Sequence, residues 1–261
     1  MKKNNEIIIV GGGLIGLSTG LLLEKYNIKS TIIDKNSLKS IKNFSDTRTT
    51  AVSQGSSRIF EKIDIWKKLK KNGQPIYQIK VSEGNDPHGI LFDHKITDEG
   101  EMGYIIENKY IKKLLLERVL KSKLINFFDS TVVKNIKNID SQNIKVETQR
   151  GSNYCNLLIG ADGRQSHIRK LSSIKYIYHD YNQKAYVFNI KHRRKHNGLA
   201  LERFFSTGPL ALLPMKSINK DKSSVVWTVD NSSQFKTDKE LFENFNQKYQ
   251  NFFGGIVNHS K

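Results

Sequence analysis

The sequence IIIVGGGLIG, residues 7–16, decides the fold. A run of branched apolar residues meets a cluster of glycines, and leucines then recur at helical spacing. This pattern predicts a buried parallel strand, a tight turn and a helix. Gly11, Gly13 and Gly16 satisfy G-x-G-x-x-G, in which the first glycine makes the turn, the second lets the backbone approach a pyrophosphate, and the third permits close helix–strand packing. The stretch therefore predicts a dinucleotide site at a helix N-terminus.

A second strand, STII at residues 30–33, ends in an acid, Asp34, which follows Gly16 by 18 positions. In dinucleotide-binding folds an acid at this place accepts hydrogen bonds from the adenosine ribose. Asp34 alone is compatible with a solvated turn, but its spacing behind the glycine motif favours the ribose role. An acid here suits an unphosphorylated ribose, and therefore FAD or NAD.

The charge of the chain is strongly basic, with 43 Lys and Arg against 25 Asp and Glu and a net charge of +18 over 261 residues. Nucleic-acid binding is one interpretation. The lysines are scattered, however, and the one dense cluster, KHRRKH at 191–196, lacks flanking aromatic residues for base stacking. We therefore expect no nucleic-acid partner. Contact of a basic face with anionic lipid stays open.

The single cysteine, Cys155, excludes a disulfide framework and a cysteine-based metal cluster, and it fits a reducing cytosol. Lys2 and Lys3 before the uncharged run from Ile7 to Leu23 mimic a signal peptide. The glycine spacing and the strand that follows argue against secretion and against a membrane span. We therefore expect a cytoplasmic protein.

Three further segments carry specific patterns. DTRTTAVS at 46–53 places an arginine before a predicted helix, and GYIIENK at 103–109 leads into another helix. An apolar strand at 157–159 runs into GADG at 160–163 and then into SHIR at 166–169. Because ligands of α/β folds bind at the carboxyl ends of the strands, Asp162 is a candidate site residue. Between these segments, residues 76–92 alternate as a hairpin.

Together these motifs resemble the flavin-dependent aromatic hydroxylases, in particular the UbiH/Coq6-type monooxygenases that hydroxylate ubiquinone precursors. The resemblance implies an α/β fold: a Rossmann-like FAD-binding domain of the aromatic-hydroxylase type with an inserted, mostly antiparallel β-sheet substrate domain. It assigns residues 1–75 and 100–175 to the FAD-binding domain, and 76–99 and 176–261 to the substrate domain. It also implies a small antiparallel meander from the runs at 125–128, 131–136 and 143–148.

The resemblance also implies roles for single residues. Arg48 matches the arginine that contacts the flavin, and Asp162 with Gly163 matches a motif that touches the FAD and bears on NAD(P)H use. Lys109 stands where the family commonly has an arginine, so it keeps the charge but loses the bidentate fork. No catalytic acid or base and no metal ligand is predicted. The predicted cofactor-binding residues are Gly11, Gly13, Gly16, Asp34, Arg48, Lys109, Asp162 and Gly163.

The activity implied is FAD-dependent hydroxylation of the ring of a polyprenyl-phenol ubiquinone precursor, with NAD(P)H and O2 as co-substrates. Phe204, Phe205 and Trp227 either line a wall over the flavin ring or fill the core of the sheet. A lipophilic phenolic substrate favours peripheral contact with the inner face of a membrane, or a complex with other ubiquinone-biosynthesis proteins.

Members of the family continue past the helix predicted after Thr237 and carry a Gly-Asp flavin-binding motif that this sequence does not match. The resemblance thus covers about the N-terminal two thirds of the family pattern and suggests C-terminal truncation. Two alternatives stay open. One is an inactive truncated flavoprotein fragment or interaction piece. The other is a related flavoprotein hydroxylase with another aromatic substrate.

Overall fold

The computed structural model describes residues 7–42, 46–84, 86, 88–96, 100–140, 143–231, 235–249 and 256–260. The helices are α1 Leu14–Lys25, α2 Leu38–Lys42, α3 Gln54–Lys62, α4 Trp66–Asn72, α5 Asn108–Lys121, α6 His167–Leu171 and α7 Asp238–Tyr249. The strands are β1 Ile7–Val10, β2 Ser30–Ile33, β3 Thr49–Ser53, β4 Gln74–Ile76, β5 Gln78–Glu83, β6 Ile90–Asp93, β7 Gly103–Glu107, β8 Ile125–Phe128, β9 Val133–Asp140, β10 Asn143–Thr148, β11 Gly151–Cys155, β12 Leu157–Gly160, β13 Gln183–His192, β14 Leu199–Phe205, β15 Gly208–Met215, β16 Lys222–Asp230 and β17 Ile256–Ser260.

The packing divides the chain into two units, each assembled from three segments. The first unit consists of Met1–Ser45, Arg58–Lys67 and Lys109–Tyr178, and the second of Asp46–Ser57, Lys68–Asn108 and His179–Lys261. The domain ranges expected from the resemblance, 1–75 with 100–175 and 76–99 with 176–261, stay a prediction.

A four-stranded parallel sheet, in the order β12-β1-β2-β8, forms the centre of the first unit. β1 is a continuous apolar run and all four residues of β2 are buried, because both faces of a parallel sheet are covered. α1 packs closely on this sheet. A Cβ added to Gly20 would lie 2.8 Å from Cδ1 of Ile32, so glycine allows the close approach. The predicted strand–turn–helix at residues 7–25 is confirmed.

The structure contains the expected antiparallel meander, but one of its three strands differs from the prediction. Residues 125–128 form β8, which pairs in parallel with β2 in the main sheet, with Ser30 opposite Ile125. The reason is connectivity, since the long connection from β2 to β8, which ends in α5, allows the two strands to run parallel. The three-stranded meander is instead β11-β10-β9. It covers the parallel sheet through a shared core that includes Val146, Cys155 and Ile168.

The second unit contains a seven-stranded sheet in the order β17-β13-β16-β15-β14-β5-β6 and a three-stranded sheet in the order β3-β7-β4. The hairpin predicted at 76–92 is confirmed as β5 and β6, except that Ile76 belongs to β4 and pairs with Gly103 of β7. Asn85 and Pro87 of its predicted turn lie outside the described residues. α7 packs its apolar face against the large sheet. The Thr237 hydroxyl accepts from the Glu240 amide at 3.1 Å at the start of α7.

No helix within the described part of the chain is both long enough and apolar enough to cross a membrane.

The basic cluster at 191–196 directs two of its side chains inward, because His192 and His196 are each only 1% exposed. Nδ1 of His196 accepts from the Gly198 N–H at 3.0 Å, and Nε2 lies 3.0 Å from the Met215 carbonyl oxygen. This geometry selects the neutral tautomer that carries its proton on Nε2. Burial lowers the pKa of His196 to about 4, although the Met215 carbonyl acts in the opposite direction.

We expect acid to destabilise the second unit through His196. The folded-state pKa, about 4, lies below the ordinary value of 6.5, so the unfolded chain binds the extra proton between these values. The free energy of unfolding should be highest above pH 6.5 and fall as the pH drops toward 4, by about 3 kcal/mol from this group. Urea unfolding at several pH values between 4 and 7 measures this loss of stability. His196→Gln should flatten the curve and the exposed His88→Gln should not, whereas an unchanged slope in His196→Gln would contradict the assignment.

Candidate functional site

The glycine turn after β1 is fixed by contacts that exclude a side chain. Gly11 has a φ of +116°, and a Cβ there would overlap the Ala161 carbonyl oxygen. A Cβ on Gly16 would overlap the Gly11 carbonyl oxygen, so α1 lies directly against the turn. A Cβ on Gly13 would meet no described atom within 4 Å. Gly11 and Gly16 therefore shape the turn, while Gly13 faces open space.

The N-terminus of α1 opens at this turn. Gly13 is its N-cap residue, and no side chain of the described part of the chain caps it. The first turn contains no acid, so α1 itself supplies no anionic side chain to its free N–H groups and to the positive end of the helix dipole. These groups suit a phosphate.

Asp34 lies at the carboxyl end of β2 and is 8% exposed. Its Oδ2 accepts from the Gly12 N–H at 2.5 Å, and its Oδ1 accepts from the Asn36 N–H at 2.7 Å. These bonds hold the carboxylate against the glycine turn. Each oxygen keeps a second lone pair for a further donor, such as a ribose hydroxyl.

Asp162 folds back onto the start of α6. Its Oδ1 accepts from the Ser166 hydroxyl at 2.6 Å, and its Oδ2 accepts from the N–H groups of His167 and Ile168 at 2.6 and 3.1 Å. Burial by itself would raise the pKa of Asp162, but these hydrogen bonds outweigh burial and hold the pKa below its ordinary value. The carboxylate thus fixes the GADG turn at the end of β12.

Replacing this carboxylate should cost stability. We expect Asp162→Ala to lower the free energy of unfolding by about 2 kcal/mol, because three donors at the start of α6 lose their acceptor. The lowered pKa means that this contribution is present above the ordinary value of 3.8 and is lost as the pH falls through the folded-state pKa. Chemical denaturation at neutral pH measures the loss. Asp180→Ala, which removes an exposed acid, is the control, and equal losses in both variants would argue against the role of Asp162.

These elements line one cavity of about 300 Å³ in the first unit. Five of the eight predicted cofactor-binding residues contribute to its wall: Gly11, Gly13, Asp34, Asp162 and Gly163. Gly16 lies beneath it, in contact with the turn. The turn, the acid after β2 and the GADG segment meet because β2, β1 and β12 are neighbours with their carboxyl ends at one edge.

Arg48 belongs to the second unit, where it forms a bidentate pair with Asp46. Nε and Nη2 of Arg48 lie 2.8 Å from the two carboxylate oxygens, and Asn108 donates to the same carboxylate at 3.2 Å. Thr50 in turn donates to the Asn108 amide oxygen at 2.6 Å. Burial by itself would raise the pKa of Asp46, but hydrogen bonds from Arg48 and Asn108 hold it below the ordinary value. The Arg48 side chain remains 61% exposed.

Lys109 lies at the start of α5 and lines a different cavity of the first unit, with its Nζ 5.1 Å from the centre of the Tyr110 ring. Lys112, one turn further along α5, lines the cavity of about 300 Å³ described above, which we call the dinucleotide-type cavity. Sequence reasoning missed Lys112, although its i+3 spacing from Lys109 was a usable signal. It also missed Lys35 and Asn36, which directly follow Asp34 and line the same cavity.

The three aromatic residues considered for a substrate wall have different environments. Trp227 is 1% exposed and packs in the core beneath α7, against Phe245 and Tyr249. Phe205 is packed against the same core, whereas Phe204 is 50% exposed. The core interpretation therefore holds for Trp227.

A profile of the FAD binding domain family matches residues 4–255. Among curated proteins, the ubiquinone hydroxylase UbiL of Rhodospirillum rubrum is 30% identical over 230 residues, covering 87% of this chain and 52% of UbiL. The ubiquinone biosynthesis monooxygenase COQ6 of Dictyostelium discoideum is 27% identical, covering 88% of this chain and 54% of that protein. The chain thus spans about half the length of the curated relatives it matches.

Solved structures support the fold. The p-nitrophenol 4-monooxygenase PnpA of Pseudomonas putida superimposes with a TM-score of 0.77 at 14% identity, over 97% of this chain and 67% of PnpA. PqsL of Pseudomonas aeruginosa gives a TM-score of 0.76 at 16% identity, over 94% of this chain and 66% of PqsL. The predicted α/β fold of the aromatic-hydroxylase type is confirmed.

Proposed function

This chain belongs to the FAD-binding-domain family, and on that premise we propose that it serves FAD-dependent hydroxylation of the aromatic ring of a polyprenyl-phenol ubiquinone precursor. The observation that carries the proposal is the cavity in which the glycine turn, Asp34 and the Asp162–Gly163 turn meet. The names of the curated relatives support the ring-hydroxylation part.

The residues present fit the pyrophosphate and ribose portions of FAD. The uncapped start of α1 would hold the pyrophosphate, with Gly13 allowing its close approach. Asp34 would accept from the ribose, and Asp162 would hold the turn of Gly163 in place. When bound, the flavin supplies the exchange of electrons with NAD(P)H and the activation of O2. Arg48 and Lys109 are proposed flavin contacts on the strength of the resemblance.

The pair between Arg48 and Asp46 suggests how this chain contributes to that chemistry. A bidentate partner and the Asn108 amide restrict the guanidinium to one orientation while much of it stays accessible. Such an arginine binds and orients an anionic or carbonyl group at little further entropic cost. We propose that Asp46 is a positioning residue for Arg48.

The substrate and partners follow from the same proposal. The substrate is a lipophilic phenol, and NAD(P)H is the reductant. A substrate with a polyprenyl tail resides in a membrane, so the protein would work in the cytoplasm, in peripheral contact with the inner face of the membrane or in a complex with other ubiquinone-biosynthesis proteins. Neither contact requires a membrane-spanning helix.

Reconstitution with FAD tests the proposal. The purified 261-residue chain should acquire oxidised-flavin absorption bands and quench flavin fluorescence on titration. Asp34→Ala should weaken FAD binding about tenfold or more, because the ribose loses a charged acceptor. Asp180→Ala is the matched control, because Asp180 is exposed, belongs to the second unit and does not line the cavity. A chain that stays colourless at high FAD concentration would contradict the proposal.

Turnover is measured separately from binding. The flavin-loaded chain should oxidise NAD(P)H in a substrate-dependent way and convert a short-chain polyprenyl phenol to a product heavier by one oxygen. Flavin binding with no hydroxylated product would favour the alternative of an inactive flavoprotein fragment. Hydroxylation of other phenols only would favour a related hydroxylase.

A further inference from the structure

A second cavity of the first unit lies between α2 and α5 and has a volume of about 620 Å³. Five of the ten residues that line it are lysines. Glu117 is the single acid among the described residues that line it. The basic residues are Lys42, Lys109, Lys112, Lys113 and Lys121.

The floor of this groove is aliphatic. Ile41 and Leu116 are 4% and 3% exposed, whereas Leu120 remains 42% exposed. Leu116 and Leu120 are one helical turn apart, so α5 presents both on one face. The lysines around them can lay their hydrocarbon stems along this floor while their ammonium groups stay in water.

The lysines of α5 occupy the unfavourable end of their helix. Lys109, Lys112 and Lys113 lie in its first two turns, where the helix dipole is positive, and the first turn contains no acid. Like charges at this end destabilise a helix, and an anion bound there removes the cost. The groove thus combines a concentrated positive potential with the accessible apolar side chain of Leu120.

We propose that this groove binds an anionic phospholipid at a membrane surface, with the phosphate among the lysines and the start of an acyl chain against Leu120. A soluble phosphate would bind the lysines but leave the exposed Leu120 side chain in water. A neutral lipid would cover Leu120 but would bring no anionic group to the lysine-lined wall. An anionic phospholipid matches both features. The inference rests on the proposed membrane contact for its source of lipid, and its test leaves unchanged Lys109, the proposed flavin contact that also lines this groove.

Flotation of the 261-residue chain with vesicles tests this inference. We expect binding to phosphatidylcholine vesicles that contain about one third phosphatidylglycerol, and little binding to phosphatidylcholine alone. The triple variant Lys42→Gln, Lys113→Gln and Lys121→Gln should reduce partitioning on the order of 100-fold, since each lysine near an anionic surface contributes about fivefold.

A matched variant separates the groove from overall charge. Lys123→Gln, Lys134→Gln and Lys170→Gln remove the same net charge from exposed positions that do not line the groove. Partitioning of this control should fall less than about threefold, because charges far from the surface are screened. Equal losses in both triple variants would overturn the proposal in favour of unspecific attraction. Thermal unfolding of each variant verifies that it is folded.

The apolar floor has its own test. Leu120→Gln keeps every charge and replaces an exposed residue, and it should lower partitioning about tenfold by removing an acyl contact. No change in Leu120→Gln would overturn the groove as a lipid site. Competition with inorganic phosphate at constant ionic strength tests the source of the phosphate. Release of the protein by phosphate alone would identify a soluble-anion site and overturn the lipid assignment.

Flavin titration of the same variants shows whether the lipid site and the proposed FAD site fail independently of each other. The variants at Lys42, Lys113 and Lys121 leave the residues of the dinucleotide-type cavity unchanged. Normal flavin binding with normal vesicle binding in the groove variant would reject the lipid site alone. Vesicle binding that depends on the groove in a chain that fails to take up FAD would reject the flavin proposal alone.

Discussion

Trp227→Ala should lower the free energy of unfolding by about 4 kcal/mol, the largest loss we expect from a single side chain. The indole is 1% exposed and lies within 5.2–5.7 Å of the rings of Phe235, Phe245 and Tyr249, centre to centre. Its removal leaves a cavity between the large sheet and α7 that rigid neighbours fill only in part. Urea unfolding followed by far-ultraviolet circular dichroism measures the loss.

Phe204→Ala is the matched control for this prediction. Phe204 is an aromatic residue of the same sheet, but it is 50% exposed, so its removal should cost less than about 1 kcal/mol. Tryptophan fluorescence gives a second readout. The chain has two tryptophans, and Trp66→Phe leaves Trp227 as the only emitter. A red-shifted, solvent-like emission from the folded variant, or similar losses at 227 and 204, would contradict the core assignment.

Gly16→Ala should destabilise the first unit on the order of 3 kcal/mol and abolish measurable FAD binding. A methyl group at this position overlaps the carbonyl oxygen of Gly11, which is backbone and cannot rotate away. The overlap can be removed only if α1 moves away from the turn. This movement would also displace the N–H groups proposed to bind the pyrophosphate. Chemical denaturation and flavin titration measure the two effects on one sample.

Gly13→Ala separates the two effects. A Cβ there meets no described atom within 4 Å, and the backbone, with a φ of −79°, is one that alanine adopts. We expect a stability loss of at most about 1 kcal/mol, from replacing glycine by alanine at an N-cap. FAD affinity should nevertheless fall tenfold or more, because the methyl group fills the space proposed for the pyrophosphate. Equal affinity in Gly13→Ala and the unmodified chain would place the pyrophosphate elsewhere.

The elements that could be predicted from the sequence are those that depend on residues close together in the chain. The run at residues 7–16 predicts its own strand, turn and helix because apolar periodicity and glycine spacing are local signals. The prediction for β8 is wrong because the sequence INFF at 125–128 is equally compatible with a strand of a meander and with an edge strand of a parallel sheet. Only the pairing of Ile125 with Ser30, almost a hundred positions earlier, decides between them.

In the candidate site, too, some features follow from the sequence and others depend on contacts that the sequence does not specify. The carboxyl-end rule for parallel strands predicts that Asp34 and Asp162 converge, and they line one cavity. The rule does not predict that the Asp162 carboxylate accepts from its own helix start, or that Asp46 holds Arg48. Those contacts depend on side-chain rotamers. They add a positioning role to Asp162 and give one to Asp46, for which the sequence predicted no role.

The order of strands in the parallel sheet has a consequence for synthesis on the ribosome. β1 lies between β2 and β12, and Ile7 pairs with Leu157, which is made 150 residues later. At bacterial or eukaryotic elongation rates this interval lasts roughly 10 to 30 seconds. During that time a nascent Ile-Ile-Ile-Val strand has one edge without its partner, and such an edge invites pairing with other chains. Expression yield should therefore rise with the supply of chaperones that bind nascent N-terminal segments.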